Sequence, residues 1–128
     1  MTDPEPQQPN LNADDLLGAW ECFEGDGFHG WDDRVLVFYR DGGRMILETW
    51  LPTRKGTTVG ELRLFSTNGV NCFANGVGLT LLVDEVRRRA LDIAPAGNGT
   101  FRLTVPQTTA GAKYFRRTSM PKNRTVKG

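Results

Sequence analysis

Glycine-containing turns that separate short apolar stretches are the feature that most constrains how this chain can fold. The chain has 15 glycines, and several of them follow Asp or Asn in the pairs that favour β-hairpin turns. The stretches between these turns are rich in Val, Leu, Phe, Trp and Tyr, which favour strands. No segment keeps a helical spacing of apolar residues over three turns. The sequence therefore predicts an all-β protein.

The turn positions predict about eight strands. They are assigned to residues 19–24, 34–40, 44–51, 61–67, 70–83, 88–94, 100–105 and 111–117. The stretch 70–83 could be two strands, which would make nine, or one strand bent by a bulge at Gly76 and Gly78. An up-and-down sheet closes antiparallel only with an even number of strands, so one bulged strand is favoured. We expect a small closed antiparallel β-barrel with a short helical turn, 12–17, before it.

The length of 128 residues fits one domain with one core. Residues 1–10 contain three prolines and no apolar residue after Met1, so they are predicted to be disordered. Residues 11–117 form the predicted barrel. Residues 118–128 are polar and basic and are predicted to be a disordered tail.

Charge and cysteine content exclude several partners. The formal net charge of +1 gives no basic excess of the kind that binds nucleic acid. The polar start lacks the apolar core of a secretory signal, and no apolar run reaches the ~20 residues that span a membrane. Cys22 and Cys72 have no metal-binding or redox spacing and are expected to be free thiols. We predict a soluble cytoplasmic protein, with the oligomeric state left open.

The segment Leu17-Gly18-Ala19-Trp20 resembles the Gly-x-Trp opening of the lipocalin and calycin barrels. In that superfamily a basic residue of the last strand packs across this tryptophan at the closed end of the barrel. Tyr114-Phe115-Arg116-Arg117 is placed to supply it. The resemblance implies a cation–π contact between Trp20 and one of the two arginines. Without an export signal or a disulfide pattern, the chain resembles intracellular bacterial lipocalin-like domains more than secreted members.

A second resemblance is to nitrobindin, a haem-binding barrel that also opens with Gly-x-Trp. Its haem-ligand histidine lies near the C-terminus, whereas the one histidine of this chain is His29. We therefore expect no haem and no other cofactor. A zinc site would have to combine His29 with Cys22 and Cys72, whose spacing does not favour one, so no metal is expected either.

The turn assignments predict which end of the barrel is open. The tight turns at the closed end are predicted to be 41–43, 68–69 and 95–99. The segments at the open mouth are predicted to be 25–33, 52–60, 84–87 and 106–109. The first of these is glycine-rich and carries Phe28 and Trp31, which could cover a bound apolar molecule as a lid. Alternatively, both aromatic side chains could fill the barrel and leave no space for a ligand.

Three residues are weak candidates for catalysis. If Trp20 faces the interior, alternation along the strand would place Glu24 on the inner face near the mouth. Glu48 could face the interior, and His29 in the predicted lid could transfer a proton.

The remaining candidates are ligand-binding residues. Trp50 shares a strand face with Glu48, and Arg63 of the next strand could pair with Glu48 if both faced inward. If that face is external, these are ordinary surface charges. Tyr39 and Tyr114 are possible hydroxyl groups of a pocket, with the same ambiguity.

The sequence therefore predicts that the barrel interior binds a small, mostly apolar molecule under the aromatic lid. The predicted ligand-binding residues are Phe28, Trp31, Tyr39, Trp50, Arg63 and Tyr114. Two alternatives remain open. The barrel could be an enzyme of the isomerase, lyase or cyclase type that uses the cavity as a reaction chamber. It could also be an interaction module without a cavity.

Overall fold

The fold is an eight-stranded β-barrel preceded by one turn of 3-10 helix, Ala13–Leu16. A computed structural model of the chain describes residues 11–25, 34–55, 58–83, 89–106, 111–122 and 124. The strands are β1 (Gly18–Gly25), β2 (Val35–Asp41), β3 (Arg44–Lys55), β4 (Thr58–Asn75), β5 (Gly78–Val83), β6 (Arg89–Gly97), β7 (Thr100–Thr104) and β8 (Lys113–Thr118). Consecutive strands pair antiparallel, and β8 pairs with β1 to close the sheet. The predicted closed antiparallel barrel with a short N-terminal helical turn is confirmed.

The predicted number of strands is right because two errors cancel. The turn predicted at residues 68–69 lies inside β4, and the bulge predicted at Gly76 is the turn between β4 and β5. Gly76 has a φ of +60°, which a tight turn requires and a side chain disfavours. Gly69 keeps the extended backbone of its strand, and its missing side chain leaves room for the Arg44 guanidinium. Gly69 therefore serves packing and not a turn.

One end of the barrel, called the closed end below, is sealed by the helical turn and three hairpin turns at residues 42–43, 76–77 and 98–99. The Asp15 carboxylate accepts a hydrogen bond from the Asn12 backbone N–H at 2.8 Å. The Leu11 N–H donates to the Val77 carbonyl at 2.8 Å, which ties the chain entering the barrel to the turn between β4 and β5. Leu16 is fully buried beneath.

Apolar side chains fill the barrel from the closed end upwards. The members of this core are Leu16, Trp20, Leu36, Phe38, Met45, Leu47, Val70, Leu79, Leu81, Val83, Leu91, Ile93, Phe101, Leu103 and Phe115. The Phe101 ring lies between two other rings, with centroids 4.5 Å from Trp20 and 5.2 Å from Phe115. These contacts leave the lower half of the interior packed with protein atoms.

Trp20 and Arg117 join the first and last strands at the closed end. The two residues are directly paired in the sheet, and the guanidinium carbon lies 4.0 Å from the centroid of the indole. Arg117 also donates hydrogen bonds to the carbonyls of Leu17 and Asp15, the latter at 2.7 Å. The expected cation–π contact is therefore present, and it is made by Arg117. Arg116 lies on the opposite face of β8.

Candidate functional site

Polar residues join the apolar residues on the inner wall towards the end opposite the closed end, called the open half below. Strand alternation puts the apolar core residues and a group of polar residues on the same inner face. The polar members of this inner face in the open half are Cys22, Arg34, Thr49, Ser66, Asn68 and Lys113. Any ligand in the interior would therefore contact apolar residues below and polar residues above.

Lys113 places a primary amine inside the barrel. It precedes Phe115 by two residues on β8, so both side chains lie on the inner face. It pairs across the sheet with Leu103, another core residue, and only 2% of it is exposed. A lysine this deeply buried is rare in proteins and commonly indicates a specific interaction in the interior.

Arg34 brings a second cation to the same wall. It immediately precedes β2, and its carbonyl accepts a hydrogen bond from the Cys22 N–H at 3.2 Å, which continues the ladder between β1 and β2. This register puts Arg34 on the inner face with Leu36, and its Nε is buried. Strand β1 lies between the strand of Lys113 and the residue Arg34, so the two cations flank one strand.

Hydroxyl groups on β3 and β4 continue the polar inner wall. Thr49 of β3 pairs with Ser66 of β4, and Thr49 is buried at 6% exposure. This arrangement can hold an anionic group by charge and hydrogen bonding, next to apolar walls that suit a hydrocarbon body. Arg34 and Lys113 were not among the predicted site residues, although alternation along β2 and β8 puts each on the same face as buried apolar residues of its strand.

Three of the predicted site residues come together, but on the outer wall of the barrel. Tyr39, Glu48 and Trp50 lie on the faces of β2 and β3 that point away from the core. The Trp50 Nε1–H donates to Glu48 Oε1 at 3.0 Å. Burial raises the pKa of the Tyr39 hydroxyl above its usual range, and the nearby Glu48 charge raises it further. The predicted shared face of Glu48 and Trp50 is therefore external.

The C-terminal segment covers this part of the outer wall. Arg124 Nε donates to Glu48 Oε1 at 2.9 Å, and its guanidinium carbon lies 4.9 Å from the centroid of the Tyr39 ring. Pro121 is buried. Residues 118–128 were predicted to be a disordered tail, whereas Pro121 and Arg124 of this segment pack on the barrel. An isolated polar segment gives no sequence signal for such a contact, because its partner lies 76 residues away.

The other candidates with described positions do not line the interior. Glu24 is exposed because a bulge after Cys22 shifts the phase of β1. Tyr114 lies on the outer face, with its ring centroid 6.5 Å from that of Phe23. Arg63 is exposed, pairs with Leu51, and does not meet Glu48.

The predicted lid residues Phe28 and Trp31 and the candidate His29 lie outside the described residues. The lid itself therefore stays a prediction.

Two clefts are found at the closed end of the barrel. One has a volume of about 440 Å³ beside Trp20 and Arg117, and the other about 510 Å³ beside Arg40 and Cys72. Burial raises the pKa of the Cys72 thiol above its usual range, so little thiolate is present at neutral pH. Neither cleft contains a residue of the polar wall in the open half.

Among the described residues, no helix is long and apolar enough to cross a membrane. Within the same part of the chain, no group of three or more His, Cys, Asp or Glu side chains is arranged to hold a metal ion.

Comparison with known proteins gives one partial similarity. No family model matches the sequence. The chain is 33% identical over 99 residues to vacuolar protein sorting/targeting protein 10 from two strains of Aspergillus fumigatus. The match covers 63% of this chain, and the chain spans only 6% of the length of these curated relatives. The similarity is confined to a small part of much larger proteins.

Proposed function

We propose that this protein is a lipocalin-like barrel that binds a small amphipathic molecule in its open half. In this proposal an apolar body rests against the core and an anionic group, such as a carboxylate, lies near Arg34 and Lys113. The observation that carries the proposal is that two cationic side chains, Arg34 and Lys113, lie on the inner wall next to the apolar core. A cationic wall next to an apolar core favours a ligand that combines an anionic group with an apolar body.

The lipocalin-like assignment is supported by the closed end. An eight-stranded meander, a helical turn before β1 and the contact between Trp20 and Arg117 occur together here. The packed lower core limits the ligand to the open half, so the bound molecule is expected to be small. Cys22 and Cys72 are not joined in a disulfide, which is consistent with the proposed cytoplasmic location.

The enzyme alternative has less support. Of the predicted catalytic residues, Glu24 and Glu48 are outside the interior, so neither can act on a molecule bound within it, and His29 lies outside the described residues. We therefore propose a carrier or sensor rather than a catalyst.

The test is a binding titration with matched ligands. A series of medium-chain carboxylic acids and their methyl esters is titrated into the protein, with isothermal calorimetry as the readout. We expect the acids to bind at least about tenfold more tightly than the esters, because a charge-assisted hydrogen bond contributes roughly 1.5–3 kcal/mol. Lys113→Met should remove most of this preference.

The matched control is Arg102→Met. Arg102 is an exposed cation of β7 that pairs with the outward-facing Tyr114. Its loss should leave the affinity unchanged. Equal binding of acids and esters by the wild type, or an equal effect of the two methionine variants, would show that the interior cations do not select the ligand.

A further inference from the structure

Among the described residues, the outer wall of the barrel is buried on β1 to β3 and exposed on β4 and β5. Ala19, Val37 and Trp50 point away from the core, yet they are 3%, 0% and 4% exposed. On the opposite side of the barrel, the outward-facing Phe73 and Leu82 are 52% and 39% exposed. The outer wall of β1 to β3 is therefore built to be covered, and residues 119–122 and 124 supply a described part of that cover.

The covered surface contains a specific site for arginine. Glu48 and Arg124 form an ion pair whose side chains are only 11% and 9% exposed. Trp50 donates to the same carboxylate oxygen, and Tyr39 presents its ring to the guanidinium. We call the surface formed by Tyr39, Glu48 and Trp50 the outer-wall groove. Its own side chains hold the carboxylate in place, so the acceptor is oriented by the barrel itself.

A buried ion pair adds little to the stability of a fold, and it can instead favour one partner group over another. Replacing such a pair with apolar residues is often neutral or stabilising, whereas removing one member leaves a buried charge. Simple cover for an apolar wall would need no carboxylate. The presence of Glu48 therefore gives the groove a requirement for a cation, and the planar guanidinium suits the aromatic ring beside it.

The segment in the groove is attached in a way that permits release. Residues 119–122 form no strand, and β8 ends before them at Thr118. The Arg124 N–H donates to the Pro121 carbonyl at 3.0 Å, which makes a local turn with proline first and arginine fourth. Because the segment adds nothing to the sheet, its departure would leave the barrel closed.

We propose that the outer-wall groove is a docking site for a Pro-x-x-Arg turn of a partner protein, and that the chain's own Pro121–Arg124 turn competes for it as an intramolecular ligand through Arg124. The chain's own segment demonstrates the chemistry that the groove accepts. Tethering gives that segment a high effective concentration, so it limits binding of partners until it is displaced. This interaction does not depend on the ligand in the interior.

The experiment measures binding of a labelled synthetic peptide with the sequence of residues 118–126 to the full chain, by fluorescence anisotropy. The Arg124→Ala variant should bind the peptide at least about tenfold more tightly than the wild type, because its groove is free in a larger fraction of molecules. A peptide with alanine in place of its arginine should not bind. Adding Glu48→Gln to Arg124→Ala should weaken binding at least about tenfold.

The controls separate docking from general effects. Glu21→Gln, in place of Glu48→Gln, removes an exposed outer-wall carboxylate that pairs with Arg116 and should not change peptide affinity. If Arg124→Ala does not fold, as judged by circular dichroism, Arg124→Lys replaces it and should give an intermediate gain. Equal peptide affinity of the wild type and the folded variant, or affinity independent of Glu48, would overturn the proposal. So would a wild-type dimer in light scattering that Arg124→Ala makes monomeric, since a second copy would then be the occupant.

Discussion

Replacing Arg117 with alanine should weaken the barrel where its first and last strands meet. Arg117 lies over the Trp20 ring at 4.0 Å and donates to two carbonyls of the segment that precedes β1. One side chain therefore holds β8, β1 and the helical turn together. These contacts are lost together when the side chain is removed.

The expected loss follows from these contacts. A cation–π interaction at a partly exposed site contributes about 0.5–1 kcal/mol. Each of the two hydrogen bonds contributes roughly 0.5–1.5 kcal/mol net, and the low end applies because water can replace the donor at an exposed carbonyl. We expect Arg117→Ala to lower the free energy of unfolding by about 2 kcal/mol, allowing for incomplete additivity.

Arg116→Ala is the matched control. It removes the same side chain from the same strand, but Arg116 faces outward and pairs with Glu21 at 2.9 Å, where the two side chains are 57% and 38% exposed. Such a surface pair contributes about 0–1 kcal/mol. The two variants therefore differ in the face that they affect and not in composition or charge.

Urea unfolding followed by tryptophan fluorescence measures both variants. With a slope of about 1.5 kcal/mol per M, Arg117→Ala should lower the midpoint by roughly 1.3 M and Arg116→Ala by less than about 0.7 M. If the two midpoints agree within error, or if Arg116→Ala is the more damaging change, the contact with Trp20 does not stabilise the closure of the barrel.

Two further predictions concern other parts of the fold. Gly78→Ala should destabilise the protein by about 2–3 kcal/mol, because the new Cβ would clash with the backbone carbonyl of Ile93, whereas Gly69→Ala meets only the flexible end of Arg44 and should cost less than about 1 kcal/mol. Thermal unfolding of the two variants compares them, and similar losses would contradict this account. The raised pKa of Tyr39 means that the folded state retains the phenol proton longer than the unfolded state, so the stability associated with it is present below about pH 10 and is lost above it. Tyr39→Phe should therefore have a flatter stability profile than the wild type in alkaline urea titrations, and parallel profiles would refute the assignment.

The strand pattern was largely predictable because it is a local property. Gly42 and Gly43 both have positive φ angles and form the turn that the sequence indicated. Asn68-Gly69 and Asn75-Gly76 could not be ranked in the same way. Both pairs favour a turn, and the difference lies in the Arg44 side chain that crosses Gly69 from the neighbouring strand. That contact is made between residues distant in sequence, so no local signal reports it.

The candidate site was less predictable, because the sequence gives alternation along a strand but not the direction of the core. In β3 both faces carry bulky residues, and only the assembled barrel places Leu47 inside and Trp50 outside. A bulge after Cys22 then turned Glu24 outward, against simple alternation. The ion pair between Glu48 and Arg124 needed the tertiary structure as well.

The sequence by itself determined the all-β class and the turn at Gly42 and Gly43, and the resemblance to the lipocalin barrels implied the contact of Trp20 with an arginine of the last strand. Glycine turns and the two-residue period of side chains act within a few residues, so they are readable in one dimension. Only the tertiary structure decided which face of the sheet is the interior and that Lys113 and Arg34 lie on that face. It also decided that the C-terminal segment packs on the outer wall of the barrel. These three outcomes depend on which surfaces lose contact with water when the sheet closes. Closure brings together residues from the whole chain.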